Sequence, residues 1–284
     1  MNPVVGATRL GLARGWTEFR QRALGSQDMA FNVFFAIVVL VVLGFQRSST
    51  VPGTSLPLAM VTLPSILGMH VAMGGFIGAA STLTVEREDG TLLRAKTVPH
   101  GMVGYVVGQV VSTSLLALTG LVVIVVPGLF LVPELADTDA LGWLTFAWVV
   151  ALGLVATLPL GAIVGSLASN PNALFGFGML PMVALTAISG IFYPISALPD
   201  WIQGVAQLFP VYWLGLGMRS AFLPDAAGAV EIAGSWRTLQ TVAMLTAWAA
   251  VGLVLAPGVL RRMARRESGS AVSARRQAAM QRTG

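Results

Sequence analysis

Glu86-Arg87-Glu88-Asp89-Gly90-Thr91-Leu92-Leu93-Arg94-Ala95-Lys96-Thr97-Val98-Pro99-His100 is a charged island in an oily chain. Six of its fifteen residues are formally charged, and an apolar stretch of more than twenty residues flanks it on each side. Of the 284 residues, 55% are hydrophobic and only 10% charged, against about 25% charged in soluble domains. The chain therefore reads as an integral membrane protein. The island is a polar knot between two spans, suited to dock something in the cytoplasm.

A bilayer core of about 30 Å needs roughly 20 apolar residues in a helix. Six segments qualify: 29–46, 58–85, 101–132, 142–168, 172–193 and 239–260. They are continuously apolar rather than alternating, which selects helices over a barrel. The first begins near Met29, after an arginine-rich segment, and no convincing cleavage site follows Phe45, so it reads as a retained span. The expected fold class is all-α integral membrane, with six transmembrane helices. Arginine and lysine set its orientation. With the N-terminus inside, fourteen basic residues are cytoplasmic and only Arg47, Arg219 and Arg237 lie outside. That bias predicts a multi-pass protein of the cell inner (plasma) membrane with both termini cytoplasmic. It places 86–100 inside and the loop with Glu134, Asp137 and Asp139 outside. The formal charge of +5 then serves anionic lipid headgroups and orientation, not nucleic acid.

Residues 201–223 tempt a seventh span, but Pro210 cuts them and Gln203, Gln207 and Arg219 interrupt them. A seventh span would also carry the basic C-terminus outside. The stretch 195–223 is expected to form two short helices re-entering the outer leaflet, broken at Pro210. Residues 8–25 are expected to form an amphipathic helix. Leu12, Trp16, Phe19 and Ala23 fall on one face, and Arg14, Glu18, Gln21 and Arg22 on another. Such a helix lies in the membrane interface; an ordinary positive flank is the plainer alternative. The chain thus divides into a cytoplasmic N-terminal helix (1–28), a six-span domain (29–263) and a basic cytoplasmic tail (264–284) too polar to build a core. The excess of arginine over lysine, with abundant alanine, glycine and valine, hints at a GC-rich bacterial genome.

The chemistry is mostly defined by what is missing. There is no cysteine, hence no thiolate metal site, and His70 and His100 are too few for a histidine cluster, so no metal is expected. The only lysine, Lys96, follows Ala95, so no Walker A motif exists. If ATP drives this chain, another subunit binds it. No Asp, Glu, Lys or Arg falls well inside a proposed span, whereas ion-coupled carriers usually keep carboxylates there. His70 is the one ionisable residue at depth: a substrate or proton contact, or a packed, hydrogen-bonded histidine. The acids lie in loops on opposite sides of the membrane, which argues against a hydrolase. Gly74 and Gly78, Gly104 and Gly108, and Gly161 and Gly165 have the small-xxx-small spacing of close helix contacts. They serve a dimer or moving interface, or packing within the chain.

The island, Glu86-Arg87-Glu88-Asp89-Gly90-Thr91-Leu92 with Pro99 after it, resembles the cytoplasmic E-x-E-x-G-T-L…P segment of type-2 ABC exporter permeases. A second stretch, Ser189-Gly190-Ile191-Phe192-Tyr193-Pro194 followed by Leu198-Pro199-Asp200-Trp201 and Phe209-Pro210, is similar to that family's S-G-x-F-x-P-x-x-x-L-P segment. The likeness covers most of residues 8–262, and its nearest branch is the daunorubicin-resistance type of permease. It implies half of a membrane dimer, built with a second copy or a paralogue. Each half docks an ATP-binding-cassette subunit that holds ATP and Mg; this chain itself is not an enzyme and needs no cofactor. A coupling helix would comprise Glu86, Arg87, Glu88, Asp89, Gly90, Thr91, Leu92, Arg94 and Pro99, with Arg14, Trp16, Glu18 and Phe19 of the interfacial helix beside it. The residues themselves fit a rigid lever: Gly90 can break the preceding helix and Pro99 can stop the lever. His100 stands where the family often has a small polar residue.

By the same resemblance, Phe192, Tyr193, Pro194, Leu198, Pro199, Trp201, Phe209 and Pro210 form an extracellular gate; read from composition, the aromatics here are equally an interfacial belt. The expected function is ATP-driven export of an amphipathic drug or lipid-like compound. An ion-coupled carrier or channel using His70, and a non-transporting membrane scaffold, are the alternatives. The substrate itself is not written in the sequence.

Overall fold

Long apolar runs can satisfy their backbone only by coiling, and in the computed structural model they do. It describes residues 3–51, 56–168 and 170–266, together with 270, 273 and 277. Among them there is no strand, only an isolated bridge between Thr50 and Pro57. An N-terminal helix, α1 (Pro3–Leu24), leads into α2 (Ser26–Gln46). Then come α3 (Leu58–Glu88), the short α4 (Thr91–Lys96), α5 (Gly101–Leu131) and α6 (Ala140–Leu167). The next helix is built from α7 (Pro171–Leu174), a π-helical turn (Phe175–Met179) and α8 (Leu180–Ile188). It is followed by α9 (Asp200–Gln207), α10 (Pro210–Phe222) and α11 (Thr238–Arg266). Five helices are long and apolar enough to cross a membrane, and Asn172–Ile188 is a shorter apolar sixth. The expected segment 172–193 ends early because Gly190, at φ +72°, reverses the chain. At the other extreme α11 outruns its expected end at 260. Most of the tail, including Arg275, Arg276 and Arg282, lies outside the described residues.

Small residues bring these helices together, as they must where lipid removes the hydrophobic drive between them. All three small-xxx-small pairs are used within the chain. A Cβ on Gly74 or Gly78 would meet Ala117 and Thr113 of α5, at 3.2 and 3.1 Å. One on Gly165 would meet the Ala80 carbonyl at 2.5 Å, and Gly161 abuts Phe76. So α3 is sandwiched between α5 and α6. Gly104 and Gly108 of α5 face Gly11 and Gly15 of α1, where a Cβ would come within 2.5 and 2.6 Å of a backbone oxygen. The register advances together in both helices, so α1 runs parallel to the first half of α5.

The core belongs to α10. Every residue from Pro210 to Arg219 is buried. Gly68 of α3 lies against Gly215, and Ser65 against Arg219. Gly153 of α6 meets Leu214, and Val149 meets Gly217. In both cases the numbering runs in opposite senses, so α10 is antiparallel to α3 and α6. Leu214 contacts Gly153, which also faces Val71. Those two residues lie about 20 Å along their own helices at 1.5 Å per residue. The α9–α10 hairpin therefore enters the bundle from the end opposite α4 and turns back near mid-length. The break falls at Leu208–Phe209, with Pro210 opening α10 where its missing N–H costs nothing. Trp248 of α11 donates to the Leu208 carbonyl at 2.8 Å and stacks on Phe209, so the hairpin's tip, which lies at the bundle's outer face, is tied to α11.

Candidate functional site

The charged island folds into an elbow. Helix α3 ends at Glu88, and Gly90 takes φ +79°, a left-handed turn that side chains resist. The Asp89 carboxylate accepts the Thr91 N–H at 2.8 Å, and α4 starts there. It runs less than two turns before Thr97; Pro99 then forbids continuation, and His100, at φ +54°, swings the chain into α5. Leu92 is fully buried against Leu83, Tyr105 and Met263, pinning the elbow to the ends of α3, α5 and α11. Lys96 donates to the Ala264 carbonyl of α11.

Within this segment the charges divide by role. Glu86 is buried: Tyr105 Oη donates to its Oε2 at 2.6 Å, and Arg14 Nη2 to its Oε1 at 3.1 Å. Arg14 also pairs with Glu18 at 2.5 Å and lies 5.0 Å above the Tyr105 ring. Arg22 adds a bond to Thr82. The polar face of α1 thus locks onto α3 and α5, while Leu12 and Trp16 stay exposed on the far side, with Phe19 packed 5.5 Å from Trp16. Arg87 reaches the carbonyls of Gly165, Ser166 and Ala168 at 3.3, 2.8 and 2.9 Å, closing the C-terminus of α6. Glu88 and Thr91 are half-buried. Asp89, Arg94, Thr97, Val98, Pro99 and His100 form the exposed rim.

At the opposite end, the aromatic stretch splits in two. Phe192, Tyr193, Pro194, Pro199 and Trp201 are exposed, Leu198 and Phe209 half-buried, and Pro210, Tyr212 and Trp213 buried. His70 sits elsewhere: its Nε2 is 3.2 Å from the Ala117 carbonyl of α5, and its ring stacks on Phe35 of α2.

Sequence reasoning missed the most buried charge among the described residues. Arg219 is 2% exposed. Its guanidinium forks onto Glu231 at 2.6 and 3.2 Å, and donates to Ser65 Oγ at 3.0 Å and the Gly190 carbonyl at 3.3 Å. It ties α10, α3, the Ser189–Gly190 turn and the 225–234 loop together. Pro194 and the left-handed Gly190 shape that turn so that its carbonyl can face Arg219. The signal available was the pairing of Arg219 with Glu231 in a chain so poor in charge. Among the described residues no group of His, Asp and Glu could hold a metal ion.

Long apolar helices, a charged elbow at one end and an inserted hairpin at the other define a multi-pass membrane protein of the transporter permease class. Residues 12–223 match the family model described as ABC-2 type transporter. The chain belongs to that family, as a membrane subunit of an ABC transporter. It is similar to the inner membrane transport permease YadH of Escherichia coli K12, 29% identical over 173 residues, covering 57% of this chain and 61% of the relative. It also resembles the linearmycin resistance permease protein LnrN of Bacillus subtilis, 26% identical over 97 residues, 34% of this chain and 25% of that protein. The chain thus spans about three fifths of one relative and a quarter of the other. Members of this family normally work with an ATP-binding subunit.

Proposed function

We propose that this chain is the permease half of an ATP-driven exporter that moves an amphipathic drug or lipid-like compound out of the cell. The observation that carries the proposal is the elbow at 86–100. Its inward residues are consumed by anchoring, and its outward residues, Asp89, Arg94 and Thr97 to His100, form a compact rim that is exposed among the described residues. A chain without a Walker A motif needs such a surface to receive force from a separate ATPase. Direct links from the rim's helix to α3, α5 and α11 can pass that force into the spans, and α1 joins through Arg14 and Glu86.

In this reading six helices cross the membrane, the 17-residue fifth one included, and both termini and the elbow are cytoplasmic. The α9–α10 hairpin re-enters from outside, and two permease copies face each other across the substrate path. The exposed Phe192, Tyr193 and Trp201 lie at the outer mouth, suited to a gate or a belt. One relative is a linearmycin resistance permease, which favours export over uptake here. His70, bonded and stacked between helices, gives no support to an ion path.

The test is co-purification with an ATP-binding-cassette subunit, sought first in the reading frames beside this gene, followed by hydrolysis measured in proteoliposomes across drugs and lipids. Substrate-stimulated hydrolysis that is lost in Arg94→Glu/Val98→Asp, with the permease still folded, is the expected result. Unchanged stimulation in that variant, or transport without ATP, overturns the proposal.

A further inference from the structure

A groove of about 670 Å³ runs between α5, α6 and α11. Its floor is apolar, with Val106, Val110, Ala162, Leu253 and Leu260 among the residues that line it. At one end the lining changes character: Lys96, Arg261 and Arg265 all border it, and among the described residues no carboxylate does. Beyond Val110, Leu158, Pro159 and Leu253, which both spaces share, a second apolar space of about 540 Å³ continues toward Phe146 and Leu118. The groove is thus an apolar trough with a cationic mouth.

Orientation alone does not require this placement. A positive flank needs charge near the helix end, on any side. Here α11 presents Leu253, Ala256, Pro257, Leu260, Arg261, Ala264 and Arg265 as one stripe at helical spacing. The stripe is apolar for two turns and turns basic where it meets Lys96 of the elbow. Arg262 is not part of it. Glu86, the acid that bonds Tyr105 at the wall, is shared between Tyr105 and Arg14. The bond from Lys96 to the Ala264 carbonyl of α11 holds its ammonium at this mouth, beside the two arginines.

We propose that this groove is a binding site for an anionic phospholipid, its phosphate held by Lys96, Arg261 and Arg265 and its acyl chain laid along the trough. The leaflet, cytoplasmic, rests on the orientation argued above; the site itself does not. Because Lys96 belongs to α4 and the arginines to α11, a bound headgroup bridges the elbow to the last span.

The experiment uses the full-length permease alone, delipidated in detergent and without nucleotide, so its outcome is separate from that of ATP-driven export. Phosphatidylglycerol, phosphatidylcholine or inorganic phosphate is titrated in, and bound lipid is counted by native mass spectrometry. Phosphatidylglycerol should bind at least about tenfold tighter than phosphatidylcholine, since each basic residue at a membrane surface attracts anionic lipid. Lys96→Gln/Arg261→Gln/Arg265→Gln should erase that preference, while Arg9→Gln/Arg20→Gln/Arg262→Gln, which removes the same charge from exposed sites outside the groove, should keep it. Leu253→Trp, at a half-exposed position of the trough, should weaken both lipids alike. Equal binding of the two lipids to the wild type, equal loss in both triple variants, or displacement of the lipid by inorganic phosphate overturns the site.

Discussion

Two arginine–glutamate contacts, at opposite ends of the molecule, show what charge does in an oily chain. At the elbow, Arg14 and Glu86 keep side-chain exposures of 30% and 12% and share their partners with Glu18 and Tyr105. In the hairpin, Arg219 and Glu231 are exposed by 2% and 8% and form one bidentate pair. The first network sits beside water and can loosen as helices move. The second replaces water altogether, and neither partner can lose the other cheaply. The elbow network is therefore the looser of the two, and the hairpin pair holds a fixed insertion in the bundle.

The largest effect that would break this comparison is at the hairpin. Glu231→Ala leaves a buried guanidinium unpaired and should cost about 3–5 kcal/mol, read as loss of the folded fraction on thermal unfolding in detergent. The double change Arg219→Met/Glu231→Leu should recover much of that loss. Similar melting of Glu231→Ala and wild type would show that the pair is not sealed from solvent.

A smaller loss is expected where α1 meets α5. Gly15→Leu pushes a side chain into the Gly108 backbone, and overpacking of this kind costs about 1–3 kcal/mol. The loss would be read as a lower melting temperature in detergent. Smaller again is Glu86→Gln, which keeps an acceptor for Tyr105 but removes the charge facing Arg14, a loss of about 1 kcal/mol. It sharpens the comparison: the elbow should weaken where the hairpin would fail. Least of all, Arg94→Glu should leave the melting temperature where it is. Its side chain is exposed and bonds only to Thr91 among the contacts described, so its effect should fall on stimulation of the partner ATPase.

Much of this architecture is legible locally. Continuous apolar runs locate the long helices to within a few residues. Gly90 ends α3, and Pro210 splits the hairpin, because each acts through its own backbone. The N-terminal helix is legible as amphipathic, but not which face it buries. Its polar, glycine-bearing face packs on α5, and its apolar Leu12 and Trp16 face outward. Amphipathicity shows two faces and does not name their partners. The spacing of Gly104 and Gly108 likewise announces a close contact without saying that Gly11 and Gly15 supply it. The island read as one docking surface is in fact divided, with Glu86, Arg87 and Leu92 holding the bundle together and only its rim turned outward.

Sequence by itself determined the class of molecule, the places of the five long apolar helices and the break points at Gly90 and Pro210, since hydropathy and backbone restriction are properties of short windows. Only the tertiary structure decided which charges are spent inside. Arg219 and Arg94 carry the same group and differ in everything else. One meets Ser65, 154 residues away in the chain, and is sealed with Glu231. The other stands in the open. Desolvation depends on every neighbour a side chain has in space, and no window of sequence contains them.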